Sequence, residues 1–305
     1  MEAKVRWADH VFAGGENVTV FGVGVPAPRH LAPGTVMRVE MSELRDKVTR
    51  GLPLNDEIVI DAHCHMGRWA NFNIPHGDAA GMVAQMDRLG IRACVSAHHA
   101  SIGPDFRFGN DEVLQAMADF PGRIYGYATV NPNYPEAEIV EEMERCISAG
   151  MVGVKIHPDT HQCMVDDEKY RPVWEFANER ALPLLSHTGI GGKNPVKTFE
   201  SLAEKYPNVK IILGHAGFGS EGANQSIETA RKYPNIYPEI TGSVVVYGTL
   251  ERMVRAVGAD RILFGTDLPF LDPRPQLGRV AFAKISDDEK RMILGLNASR
   301  LFGIT

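Results

Sequence analysis

Five apolar runs in the chain end in side chains that can ligate, ionise or donate. The run Ile58-Val59-Ile60-Asp61-Ala62-His63-Cys64-His65 closes on two histidines one residue apart. Alternate side chains of a β-strand share a face, so His63 and His65 project to one side and Cys64 to the other. Two imidazoles on one face can grip a divalent cation from a single direction. The run Val154-Lys155-Ile156-His157 puts Lys155 and His157 on one face in the same way. Leu184-Leu185-Ser186-His187, Ile212-Leu213-Gly214-His215 and Phe264-Gly265-Thr266-Asp267 complete the set. Each has an ordinary structural explanation when taken singly: a hydrogen-bonded core histidine, a lysine reaching a rim, an aspartate capping a turn. Together they are harder to dismiss, because imidazoles, an amine and a carboxylate are costly to desolvate unless paired or coordinated. Neutral imidazoles with a carboxylate are borderline ligands for zinc and its neighbours, with one position left for water. A zinc-bound water ionises near pH ~7, and Asp267 could take its proton.

Such residues must be gathered by a fold that brings several strand ends to one place. From Ile58 onward, short β-rich runs alternate with helical stretches to the end of the chain. Strands are expected at 58–63, 91–97, 123–130, 151–157, 182–187, 209–214, 235–240 and 260–265, with helices near 78–89, 110–119, 135–149, 168–181, 195–206, 222–232 and 248–257. In 135–149, Pro135 suits the first turn, Gly150 suits the stop, and Ile139, Val140, Met143, Cys146 and Ile147 recur at helical spacing. Strands such as Ile211-Ile212-Leu213 are apolar on both faces, as a barrel strand under a helix layer must be. Eight β/α units predict an α/β protein with a (β/α)8 TIM barrel over 58–305, whose chemistry lies at the C-terminal strand ends. A doubly wound sheet is the alternative, weakened by the lack of a glycine-rich loop after the first strand. Residues 1–57 read as a short N-terminal β-rich arm, with strands near 18–23 and 35–41 and a helix near 42–49.

Composition narrows the class. The chain has 305 residues, 44% hydrophobic and 23% charged, with a net charge of −6. That balance fits an ordinary globular protein and argues against a partner as acidic as nucleic acid. No apolar run approaches the ~18 residues of a membrane span, and no apolar stretch follows the first residues as a secretory signal would. The four cysteines are scattered and read as reduced thiols, which makes the cytoplasm the simplest location.

The ordered motifs resemble the amidohydrolase superfamily, in the amidohydrolase-related branch that includes metal-dependent hydrolases and decarboxylases. The resemblance spans 58–305 and rests on Asp61-Ala62-His63-Cys64-His65, Gly153-Val154-Lys155-Ile156-His157-Pro158, Ser186-His187-Thr188-Gly189, Leu213-Gly214-His215-Ala216-Gly217, Phe264-Gly265-Thr266-Asp267 and the tail Asn297–Gly303. It implies that His63, His65, His187 and Asp267 hold one divalent metal, zinc by preference. His215 would polarise the scissile group or steer the water, and Asp267 would be the proton acceptor. In binuclear relatives a lysine at the end of strand four is carboxylated and bridges two metals. The Lys155–His157 pair favours the mononuclear arrangement, in which Lys155 stays cationic and holds a substrate carboxylate. Branch members often begin at the His-x-His strand, so residues 1–57 depart from the pattern.

Around this set, Arg68 and Trp69 follow the metal pair in the first loop, where Arg68 could meet a substrate carboxylate. One of His98 and His99 is expected to face the pocket, with His157 beside it. Asn131 reads as a turn start, and His161, Tyr247 and Arg274 are weaker candidates. The resulting expectation is a metal-dependent hydrolase of a small amide, lactone or ester, working as a homo-oligomer, a dimer by preference, on a small-molecule substrate. The alternative is a non-oxidative decarboxylase of an aromatic or unsaturated acid, and the third reading is a non-catalytic binding barrel.

Overall fold

The computed structural model describes residues 42–69, 72–244 and 246–305. Seven parallel strands pair in chain order: β1 (Ile60–Met66), β2 (Ala93–His98), β3 (Ile124–Thr129), β4 (Gly153–Ile156), β5 (Pro183–His187), β6 (Lys210–Gly214) and β7 (Ile236–Pro238). Helices between them cover the outside, and the expected 135–149 helix runs over Glu136–Ser148 with Ile139, Met143 and Cys146 buried. The fold is the α/β barrel expected from the alternation.

The expected eighth strand, 260–265, is corrected. A 3-10 turn occupies Ala259–Arg261, and Leu263 alone bridges to Glu239. The segment still closes the barrel. On one side Leu263 N–H donates to the Pro238 carbonyl at 3.0 Å. On the other, Ala62 N–H donates to Phe264 O at 2.9 Å and Asp267 N–H to His63 O at 2.8 Å. A regular strand fails here because Asp267 sits at φ 61°, in the left-handed region, and turns the chain away.

Two apolar layers form the core. Ile60, Ala62, Val95, Tyr127, Leu185, Ile212 and Leu263 fill the barrel, while the outer layer, between barrel and helices, includes Cys64, Met82, Val154 and Trp174. A β-bulge shifts the β1–β2 register between Asp61 and Cys64. It switches the parity of the strand, so that Ile60 and Ala62 face inward and His63 and His65 do so too. The Tyr127 hydroxyl donates to Ala62 O at 2.7 Å across the bulge. All four cysteines are buried and unpaired.

The expected helix near 42–49 is present as Glu43–Thr49, with Leu44 fully buried. It is tied to the C-terminal helices, since the Ser42 hydroxyl and the Glu43 N–H both donate to the Asp287 carboxylate, at 2.5 and 2.8 Å. The two strands expected at 18–23 and 35–41 lie outside the described residues. No helix among the described residues is long and apolar enough to cross a membrane.

Candidate active site

The bulged end of β1 brings both histidines to the barrel axis, where their Nε2 atoms lie 3.2 Å apart. Asp267, carried by the closing segment, places Oδ1 at 3.4 Å from each of those nitrogens. His215 follows β6, and its Nδ1 stands 3.7 Å from Asp267 Oδ2. His63, His215 and Asp267 thus offer ligand atoms that all lie within 4.8 Å of one another, and His65 adjoins them. His187 stands one step out, its ring 4.6 Å from that of His215 and stacked at 4.2 Å on His157. The two residues at the centre of the cluster hold uncommon backbone: His215 is at φ 65° and Asp267 at φ 61°. Non-glycine residues persist there only where their surroundings over-determine them, which is common at functional sites.

Buried charge around these atoms is out of balance. Asp61, Glu239 and Asp267 are all at most 5% exposed, and one buried ammonium, that of Lys155, lies among them. Burial pushes the Asp61 and Glu239 carboxyls up to about 7 and holds Asp267 well above the usual carboxylate range. It lowers Lys155 to about 8. The imidazoles of His63, His65 and His215 are held well below their ordinary value, first by burial, and His187 is lowered to about 3. They are therefore neutral and able to ligate. His65 Nδ1 and His215 Nδ1 are buried without a hydrogen-bond partner. Neutral nitrogens, excess carboxylate and unpartnered ring nitrogens make a donor set that fits a divalent cation.

Above the cluster opens a cavity of about 280 Å³. Trp69, Phe72, Phe218 and Phe270 supply aromatic walls, and His65, His99, His157, His187, His215 and Asp267 reach its surface. The Phe218 ring stacks on His215 at 4.4 Å, and His99 stacks on His65 at 5.2 Å. Of the expected pair, His99 faces this cavity, while His98 accepts the Ala100 N–H and lines a neighbouring groove.

Two expected substrate contacts are not brought to the cavity. Lys155 is fully buried beneath it, with Nζ 3.0 Å from His63 Nε2. It lies two residues before His157 on the same strand line, about 7 Å deeper in the barrel. Arg68 is exposed and lines the groove beside His98, because Gly67, at φ 83°, turns the loop and sends Trp69 inward instead. Asn131 makes the expected turn, accepting the Asn133 N–H at 3.0 Å. His161 is buried against Tyr170, and Tyr247 is 85% exposed.

Glu239 was not singled out by the sequence. It is fully buried after β7 and accepts from His63 Nδ1 at 2.8 Å. Its signal is a lone carboxylate inside the run Ile236-Tyr237-Pro238-Glu239-Ile240, at a strand end like the other five. Gly265 makes room for it, since a Cβ there would lie 2.4 Å from Glu239 Oε1 and 2.7 Å from His63 Cβ. Gly265→Ala is therefore expected to destabilise the protein by about 1–3 kcal/mol, as overpacking does. Denaturant unfolding reads this directly, and an unchanged midpoint would remove the steric role assigned to Gly265.

The amidohydrolase family profile matches residues 60–304, and the chain belongs to that family. Among curated relatives, the gamma-resorcylate decarboxylase of Polaromonas sp. (strain JS666) is 28% identical over 272 residues, covering 72% of this chain and 82% of that protein. The 5-carboxyvanillate decarboxylase of Sphingomonas paucimobilis superposes with a TM-score of 0.65 at 20% identity, over 81% of this chain and 99% of the other. A dihydroxybenzoic acid decarboxylase of Polaromonas sp. JS666, solved with manganese and 2-nitroresorcinol, gives 0.61 at 20% identity over 81% and 97% of the two chains.

Proposed function

We propose that this enzyme is a divalent-metal-dependent, non-oxidative decarboxylase of a monocyclic aromatic carboxylic acid. The observation that carries the reading is the aromatic-walled cavity of about 280 Å³ standing directly over the His/Asp cluster. Its size lies at the small end of ligand pockets, which run from ~300 to 1,000 Å³, and suits a single ring. The named relatives support decarboxylation over the hydrolysis expected first from the residues. His63, His65 and Asp267 would hold the ion, with His187 and His215 the imidazoles on its cavity side. Donor chemistry favours zinc, and the manganese of relatives makes Mn²⁺ the second ion to test. When bound, the cation neutralises the excess carboxylate charge and draws electron density from an anionic ligand.

The chain's own groups account for the rest. Trp69 and Phe218 offer apolar faces to a ring, and Phe72 and Phe270, in contact at 5.0 Å, flank the opening. Heterolysis of the bond between ring and carboxylate releases carbon dioxide and leaves an electron pair on the ring carbon, which must take up a proton. Asp267 reaches the cavity, and burial raises its affinity for a proton, so it can deliver that proton as general acid. His215, beside its Oδ2, can return one from solvent.

The test is carbon dioxide release from 2,6-dihydroxybenzoate and 5-carboxyvanillate by protein loaded with Mn²⁺ or Zn²⁺, run beside proton release from a lactone and ester panel. Release of carbon dioxide is expected. Hydrolysis of the panel with none released would replace this reading by the hydrolase one.

A further inference from the structure

We propose that Glu239 is a positioning residue that sets which nitrogen of His63 is free to ligate and, through the same oxygen, holds His215 against the cluster. Glu239 Oε2 lies 2.8 Å from His63 Nδ1, and both side chains are fully buried. A carboxylate can only accept, so the proton of the neutral imidazole resides on Nδ1. Nε2 then presents its lone pair toward His65 Nε2 at 3.2 Å and Asp267 Oδ1 at 3.4 Å, the corner where the other donors converge. In the absence of an ion, Lys155 Nζ, 3.0 Å away, is the donor that this lone pair accepts from. The opposite tautomer would place N–H against N–H there and leave the carboxylate without its partner.

The second half of the role lies in the backbone. The same Oε2 accepts the His215 N–H at 3.2 Å, and Oε1 accepts the Thr241 N–H. One carboxylate therefore spans β1, the turn after β6 and the end of β7, fixing two of the three residues whose ligand atoms cluster within 4.8 Å. The packing admits no slack. The Gly265 Cα carries no Cβ because Glu239 Oε1 and the Thr241 hydroxyl already occupy that space. The Ile240 carbonyl next to Glu239 is anchored in turn by Arg279 Nη1 at 2.7 Å. Carboxylates that orient a ligating histidine in this way change metal affinity by ~10–100-fold when removed.

The inference rests on the cluster holding an ion, and two measurements separate the claims. In metal-free wild-type protein, a long-range ¹H–¹⁵N spectrum is expected to show His63 protonated at Nδ1 and bare at Nε2. In Mn²⁺ titrations, Glu239→Gln, which keeps size and one acceptor, is expected to weaken binding about tenfold, and Glu239→Leu about a hundredfold. Glu239→Asp should recover part of the loss. A His63 protonated at Nε2, or Mn²⁺ affinities of both variants equal to wild type, would overturn the role of Glu239. Wild-type protein that fails to bind Mn²⁺ or Zn²⁺ would instead overturn the metal reading, with the tautomer still deciding the place of Glu239. The spectrum needs no variant, so loss of folding in Glu239→Leu leaves the question decided.

Discussion

Asp267→Asn is expected to lower the rate of carbon dioxide release by ~10²–10⁴-fold, the range typical of losing a positioned proton donor. The substitution is chosen for its backbone. Asp267 sits at φ 61°, where asparagine is tolerated better than other non-glycine residues, so the closing segment keeps its course. The Asp267 N–H bond to His63 O and the shape of the side chain persist. What disappears is the charge facing the two Nε2 atoms at 3.4 Å and the only carboxyl group that reaches the cavity. An amide has no acidic proton to deliver to a ring carbon, and its oxygen is a weaker metal ligand. The variant should therefore retain part of its ion and its fold while losing turnover. Single-turnover kinetics with metal analysis on the same sample checks this, and a rate equal to wild type would strip Asp267 of the proton-transfer role.

The parts of this site that follow from spacing were legible in the sequence. A period of two places His63 with His65 and Lys155 with His157, and strand ends place His187, His215 and Asp267 near a common mouth. Depth was not legible in the same way. Alternation reports the face of a strand and says nothing of how far along the barrel axis a side chain sits, so Lys155 read as a substrate contact although it lies under the cavity floor. Arg68 read as one too, because the turn at Gly67 depends on a backbone angle that the loop's residue types do not dictate. Glu239 escaped for a third reason. Its burial is created by residues 262–268 closing the barrel between β7 and β1, a contact remote in the chain, and Pro238 makes the local run look like a strand fraying into solvent. The closing segment itself resisted reading as an irregular element. Ile262, Leu263 and Phe264 carry a strand's composition, and the departure comes from Gly265 and Asp267, whose conformations serve the cluster rather than the sheet. Propensity and function disagree at that point, and function prevails, as is common at sites that hold strain.

Chelation is expected to abolish turnover and to lower the melting temperature as well, and the second effect follows from the charge balance. Asp61, Glu239 and Asp267 are buried with one ammonium among them. Without a cation these carboxyl groups must either repel one another or take up protons, and both weaken the native state relative to an unfolded chain in which all are solvated. An ion present at about a thousand times its dissociation constant stabilises a protein by roughly 4 kcal/mol. For a domain of this size that corresponds to a shift of about 8–16 °C. Addition of Mn²⁺ or Zn²⁺ in excess should restore both properties, with one ion bound per chain. Asp267→Asn should show a smaller thermal shift on chelation than wild type, because the charge that the ion offsets is already reduced. Differential scanning calorimetry before and after chelation makes the comparison. A chelated protein that keeps its melting temperature and its turnover would show that Lys155 and the imidazoles alone accommodate the three carboxylates, and would remove the ion from the site.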